Sequence, residues 1–219
     1  MLILKILFFL STMFFLLPGF CQNSGQNGLA VCTFEGGTEN LKGFTSEENF
    51  FSFSNEFGII NVFFDGNSLS EEPNKQSRIE VTFSASTVEP FTVGNVIMDS
   101  PVIVNFLTGV ESQGTSFLIV SQIESLHDPS NPQIELKTTK FLNQETDGTI
   151  TITLPETFII KNPKVMDILI NKAYIDGDIR KGIKITKKEQ RKIKRALKKA
   201  KSNGPVKINC EYSNIKVIN

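Results

Sequence analysis

Residue types suited to catalysis are few and scattered in this 219-residue chain. Ser125, His127 and Asp128 are the three types of a hydrolase triad. A triad is defined by spatial roles, and side chains this close in sequence rarely meet in its geometry. His127 is the single histidine, so no histidine-clustered zinc site is expected. Asp178 to Glu189 has the length of a calcium loop, with Asp178 at position 1, Thr186 at 9 and Glu189 at 12. Its interior does not fit: Arg180 stands at position 3, Gly182 at 5, and Ile183 where the sharp turn needs glycine. The pairs Glu47-Glu48 and Glu71-Glu72 carry the carboxylates of glycosidic acid–base chemistry. That chemistry needs a set separation in space, which adjacency in sequence does not supply, so both pairs read as solvated loop charge. No Walker loop, GxGxxG or GxSxG occurs. No catalytic residue, metal or cofactor is therefore expected.

What remains is thiol pairing and charge. Met1 to Lys5 is a short start with one cation, Ile6 to Leu17 is apolar except for Ser11 and Thr12, and Pro18-Gly19 follows. This order is that of a cleavable signal peptide over residues 1–21, with Gln22 the first mature residue. The apolar run of about 12 residues is too short for a bilayer span, which takes about 20, and no later run approaches that length. A competing reading makes Cys21 a lipid-modified first residue, against which stands the large Phe20 before it. The mature chain, 22–219, reads as one domain, since no linker rich in Gly, Pro or Ser divides it. Export into an oxidising compartment makes a Cys32–Cys210 disulfide the expected fate of the two remaining thiols. The alternative is a pair of buried free thiols.

The formal charge is zero, but it conceals a split. Residues 22–176 hold 8 Lys and Arg against 20 Asp and Glu, a net −12, while residues 177–219 hold 14 against 3, a net +11. The cations concentrate in a stretch with a helix-start signature, Thr186-x-x-Glu189, followed by a stop signal at Asn203-Gly204-Pro205. The spacing predicts a helix over 187–201, about 22 Å long. At about 100° per residue, Lys187, Lys188, Arg191, Lys192, Lys194, Arg195, Lys198, Lys199 and Lys201 occupy one continuous half, and Ile193, Ala196, Leu197 and Ala200 the other. Such a face can attach to an anionic surface polymer or to lipid headgroups. The apolar arc has no aromatic residue, which argues for surface adsorption over deep insertion. No aromatic residue interleaves the charges for base stacking, which disfavours nucleic acid. A protein partner is a further candidate. Alternatively, Ile193 and Leu197 dock on the rest of the molecule and the lysines are merely solvated or neutralise the acidic body.

The elements that must carry these residues are mostly strands. Ile79, Val81, Phe83 and Ala85 alternate with Arg78, Glu80, Thr82 and Ser84; Ile150, Ile152 and Leu154 alternate with threonines; Val206, Ile208, Cys210 and Tyr212 alternate with Lys207, Asn209 and Glu211. Period-two patterns of this kind mark strands with one buried face. Similar segments occur at 29–35, 50–54, 59–64, 91–98, 102–107, 117–123 and 133–139, with turns expected at Gly36-Gly37, Asp65-Gly66, 128–132 and Asp147-Gly148. The expected fold is mainly β, an antiparallel β-sandwich or barrel of about ten strands, with one or two helices in the C-terminal third. The first of these helices starts at Asn162-Pro163 and turns Val165, Ile168, Leu169 and Ala173 inward. The function that fits best is an exported, non-enzymatic binding, adhesion or structural module. The alternatives are a secreted hydrolase using ungrouped Asp and Glu, or a carrier of a small apolar ligand inside a closed barrel.

Overall fold

The computed structural model describes residues 28–39, 41–54, 59–68, 76–85, 93–95, 98–112, 114–125, 134–173 and 185–218. The leader and its cleavage site, Glu71-Glu72, His127, Asp128 and most of the calcium-like loop lie outside them. Alternation builds the body: β1 (Leu29–Gly36), β2 (Phe44–Ser54), β3 (Ile59–Ser68), β4 (Gln76–Ala85), β5 (Gly94–Asn95), β6 (Met98–Ser112), β7 (Thr115–Ser125), β8 (Ile134–Leu142), β9 (Glu145–Ile160) and β10 (Lys201–Ile218). The hydrogen-bonded order is β1-β10-β2-β3-β4-β6-β7-β9-β8-β5, with further β1–β2 and β9–β10 pairings. Followed from neighbour to neighbour, β1, β2, β3, β4, β6, β7, β9 and β10 return to β1, giving a barrel-like closure. β9 makes this possible by changing partners along one edge: Glu145–Ile152 runs beside β8, and Phe158–Ile160 beside β7. The pairings are antiparallel except where Val217 and Ile218 run parallel to β2.

One face of each strand fills the interior. Ala30, Cys32, Ile79, Val81, Phe83, Ile150, Ile152, Leu154, Val206, Ile208, Cys210 and Tyr212 are all buried. Phe34 of β1 meets Phe106 of β6 edge-on at 5.3 Å, and Phe51 of β2 meets Tyr212 of β10 at 4.9 Å. Rings from different walls therefore touch inside the barrel. Each buried Phe removes enough apolar surface from water to contribute about 2–3 kcal/mol. Cys32 and Cys210 stand directly opposite each other on β1 and β10 and form a disulfide, with Cα atoms 4.0 Å apart and a sequence separation of 178.

Several strands are longer than their alternation suggests, because expected turns lie inside them. Asp65-Gly66 belongs to β3 and Asp147-Gly148 to β9. These glycines permit close approach of neighbouring groups. A Cβ on Gly66 would lie 2.1 Å from the Thr45 carbonyl oxygen, and one on Gly148 would lie 2.1 Å from that of Lys137 and 2.5 Å from the Tyr212 hydroxyl. The β8–β9 turn is instead Asn143-Gln144, both with positive φ, as a two-residue hairpin turn demands. Glu47 and Glu48 lie in β2 at a register shift, not in a loop. Arg78, placed by alternation on a solvent face, is buried: it sits over the Phe63 ring and is ion-paired with the opposing Asp65.

Two helical segments follow β9. α1 (Pro163–Ile168) continues as a π-helical turn, Leu169–Ala173. Pro163 takes the first turn, where an N–H would lack a partner, and Asn162 Oδ1 accepts from the amides of Lys164 and Val165 at 3.1 and 3.3 Å. α2 (Lys187–Leu197) begins with the expected capping box: Thr186 Oγ1 accepts from Glu189 N, and the Glu189 carboxylate accepts from Thr186 N. It ends earlier than expected, at about 16 Å. Lys198–Ala200 form a turn, and Lys201 is the first residue of β10, paired with Ile159. Asn203-Gly204-Pro205 are strand residues rather than a helix stop. Asn203 is buried; its Oδ1 accepts from Thr38 N, Thr38 Oγ1 and Glu39 N, and its Nδ2 donates to Thr157. One side chain thus ties the β1–β2 connection to β10 and β9.

Candidate functional site

The sheet has a second apolar side, and the helices cover it. Leu107 of β6, Leu118 and Val120 of β7, and Ile160 of β9 form a cluster with Val165 and Leu169, distinct from the barrel interior. Ile193, Ala196, Leu197 and Ala200 pack against this cluster. The apolar arc of α2 is therefore docked on the body. Burying that face against the sheet gives the helix the tertiary support that nine crowded like charges deny it in isolation. It also removes this face from use as a membrane-inserting surface unless the helix undocks.

The cations point away from the contact. Lys187, Lys188, Arg191, Lys192, Lys194, Arg195, Lys198, Lys199 and Lys201 are all exposed. Among the described residues none of the nine makes an ion pair with a carboxylate. Docking divides them by position. Lys192, Arg195 and Lys199, at i, i+3 and i+7, flank the side of α2 nearest α1. There they line an open groove of about 300 Å³ together with Asn162, Lys164, Val165 and Ala196. Val165 is buried and Ala196 half-buried, and the surface of the groove is almost wholly apolar, so the exposed Lys164, Lys192, Arg195 and Lys199 border it with their carbon stems. Lys187, Lys188, Arg191, Lys194 and Lys198 do not line it. Lys201 has left the helix for β10.

Lys164 is the residue that sequence reasoning missed. It lies 23 positions before the start of α2, outside the basic segment, and joins the other three cations because both helices pack on one apolar cluster. The available signal was the Asn162-Pro163 helix start, which places Lys164 in an exposed first turn.

The remaining candidates do not converge. Ser125 ends β7, while its supposed partners His127 and Asp128 lie outside the described residues. Glu48 is exposed on β2, and Glu189 is engaged in the α2 cap. Among the described residues no group of three or more His, Cys, Asp or Glu is placed to hold a metal ion. Among them, too, no helix is long and apolar enough to cross a membrane. No protein-family model, no curated protein and no solved structure matches this chain.

Proposed function

We propose that the chain is an exported, non-enzymatic binding module that attaches to an anionic surface polymer or to lipid headgroups through the basic side of α2. The observation that carries this reading is that the cations of α2 all stay exposed while the helix is held by its opposite, apolar side. A cation held on a docked helix loses less freedom on binding than one on a mobile tail, so more of its attraction appears as affinity. The leader-like first 21 residues and the Cys32–Cys210 disulfide support an oxidising, extracytoplasmic compartment. The contact between Phe34 and Phe106 inside the barrel weighs against an apolar-ligand carrier, since a cargo would need room between those rings.

Binding to immobilised heparin and to vesicles containing anionic lipid tests this reading. The expected affinity falls steeply with salt, because each neutralised anion releases condensed counterions. Replacing Lys192, Arg195, Lys198 and Lys199 by Gln is expected to weaken binding at least about tenfold at physiological salt without changing the circular dichroism spectrum. Unchanged retention of that variant on both supports would refute the proposed contact.

A further inference from the structure

We infer that α2 is a binding strip for a linear acidic polysaccharide, whose carboxylate or sulfate groups recur along an extended chain lying parallel to the helix axis. This rests on the proposed anion-contact role of α2 and commits it to a polymer rather than to lipid headgroups.

The cations come in doublets, and the doublets keep step with the helix. Lys187, Arg191, Lys194 and Lys198 stand at i, i+4, i+7 and i+11. Lys188, Lys192, Arg195 and Lys199 repeat that spacing one residue later. At about 100° per residue, each set stays within a sector of about 60° and so forms a row along the helix. The rows lie about 100° apart, and each runs about 17 Å. The turn that follows α2 prolongs them, since Lys198 N still donates to the Lys194 carbonyl at 3.2 Å and Lys199 N to that of Ala196 at 3.0 Å. All eight side chains are exposed, and among the described residues none is ion-paired with a carboxylate. Glu189, the one acid of α2, lies outside both rows and serves the cap.

Two observations favour a polymer over a bilayer. An interfacial helix sets its cations beside its apolar arc, so that both reach the lipid. In α2 the arc of Ile193, Ala196, Leu197 and Ala200 is centred about 170° from the cations and is docked on the cluster beneath it. Cations turned toward a bilayer would leave those apolar side chains facing the other way. The second observation is the alignment. Attraction to an anionic leaflet grows with the number of nearby cations and asks nothing of their register. Straight rows with a doublet at every turn match a ligand that is itself linear, and each turn it covers neutralises charge and releases counterions. The side-chain types narrow the chemistry. Six of the eight cations are Lys, compact point charges suited to single anionic groups; only Arg191 and Arg195 bring the fork that matches phosphate. No aromatic residue stands in α2 to stack a base. Carboxylates or sulfates on a sugar chain fit both facts.

The experiment titrates the full chain with heparin oligosaccharides of two to twelve sugars by calorimetry, and with vesicles of phosphatidylcholine and phosphatidylserine by sedimentation. Affinity is expected to climb with length until the oligosaccharide covers the four doublets, and to rise little beyond. Two charge-matched variants are compared, Lys194→Gln/Arg195→Gln inside the rows and Lys198→Gln/Lys199→Gln at their end. All four residues are exposed, so both variants are expected to fold. With the twelve-sugar chain each should lose at least about fivefold. With the tetrasaccharide the end variant, which keeps three successive doublets, should lose less than about twofold, and the inner variant at least about fivefold. Vesicle binding, which follows the number of cations, should fall equally in both. Affinity independent of length, equal losses of the two variants with the tetrasaccharide, or vesicle binding that depends on which doublet is removed would overturn the strip. Salt-sensitive heparin retention surviving alongside any of these failures would leave the broader anion contact standing and remove only the aligned polymer.

Discussion

Phe106 and Leu107 are neighbours on β6 and both are buried, but they face opposite environments. Phe106 points into the barrel among strands paired to one another and crosslinked by Cys32–Cys210. Leu107 points outward, beneath α1 and α2. The walls around Phe106 are ladders of backbone hydrogen bonds. The cover over Leu107 is two helical segments; Val165 and Leu169 of the first are buried, but Ile193, Ala196, Leu197 and Ala200 of the second are only half-buried. The interior therefore depends on every large side chain in it. The helical layer depends on a few apolar contacts and leaves the rest of its surface open to carry charge. Stability resides in the first region, and the proposed contact in the second, so the two should respond differently to substitution.

The largest expected effect is on the barrel as a whole. Replacing Cys32 and Cys210 by Ala frees a loop of 178 residues, for which the chain-entropy model gives about 5 kcal/mol lost. Denaturant titration of the double variant, set beside the parent under non-reducing conditions, checks this; a loss under about 1 kcal/mol would mean that the β1–β10 pairing needs no crosslink. Next, Phe106→Ala is expected to cost about 3–5 kcal/mol through lost transfer energy and a cavity, while Leu197→Ala on half-buried α2 should cost about 1–2 kcal/mol. Equal costs by chemical denaturation would erase the distinction between the regions. The third effect is confined to alkaline pH. Burial pushes the Tyr212 phenol up to about 12, against a smaller downward pull from the Thr138 and Thr146 hydroxyls. Below pH 10 the phenol is neutral in both folded and unfolded chains, so its contribution is fully present. Between about pH 10 and 12 the unfolded chain releases the proton that the folded chain holds, and stability falls by about 2–3 kcal/mol. Stability measured across this range should decline more steeply for the parent than for Tyr212→Phe, which should lose that part of the slope.

Residues whose position follows from local chemistry were legible in advance. Asn162-Pro163 and Thr186-x-x-Glu189 start helices because side-chain oxygens and a proline meet the unpartnered amides of a first turn, whatever lies around them. Ile79, Val81 and Phe83, or Ile150, Ile152 and Leu154, turn to one side because a strand alternates its side chains. Gly66 and Gly148 misled for the same local reason: Asp-Gly is good turn chemistry, and what keeps it inside a strand is a group arriving from another strand. Arg78 also misled, because its burial depends on Asp65 standing opposite on β3.

By itself, then, the chain determined a mainly β molecule with one or two late helices, paired end cysteines and a strongly basic C-terminal segment. These follow from periodicity, capping and composition, each of which acts over a few residues or over the whole chain. Tertiary structure alone decided how the sheet closes, where α2 ends, that its apolar side is covered, and that Lys164 stands with Lys192, Arg195 and Lys199. Those outcomes depend on which surfaces meet across long sequence separations. Leu107, Leu118 and Ile160 form the patch that draws both helices together, and no local pattern specifies that meeting.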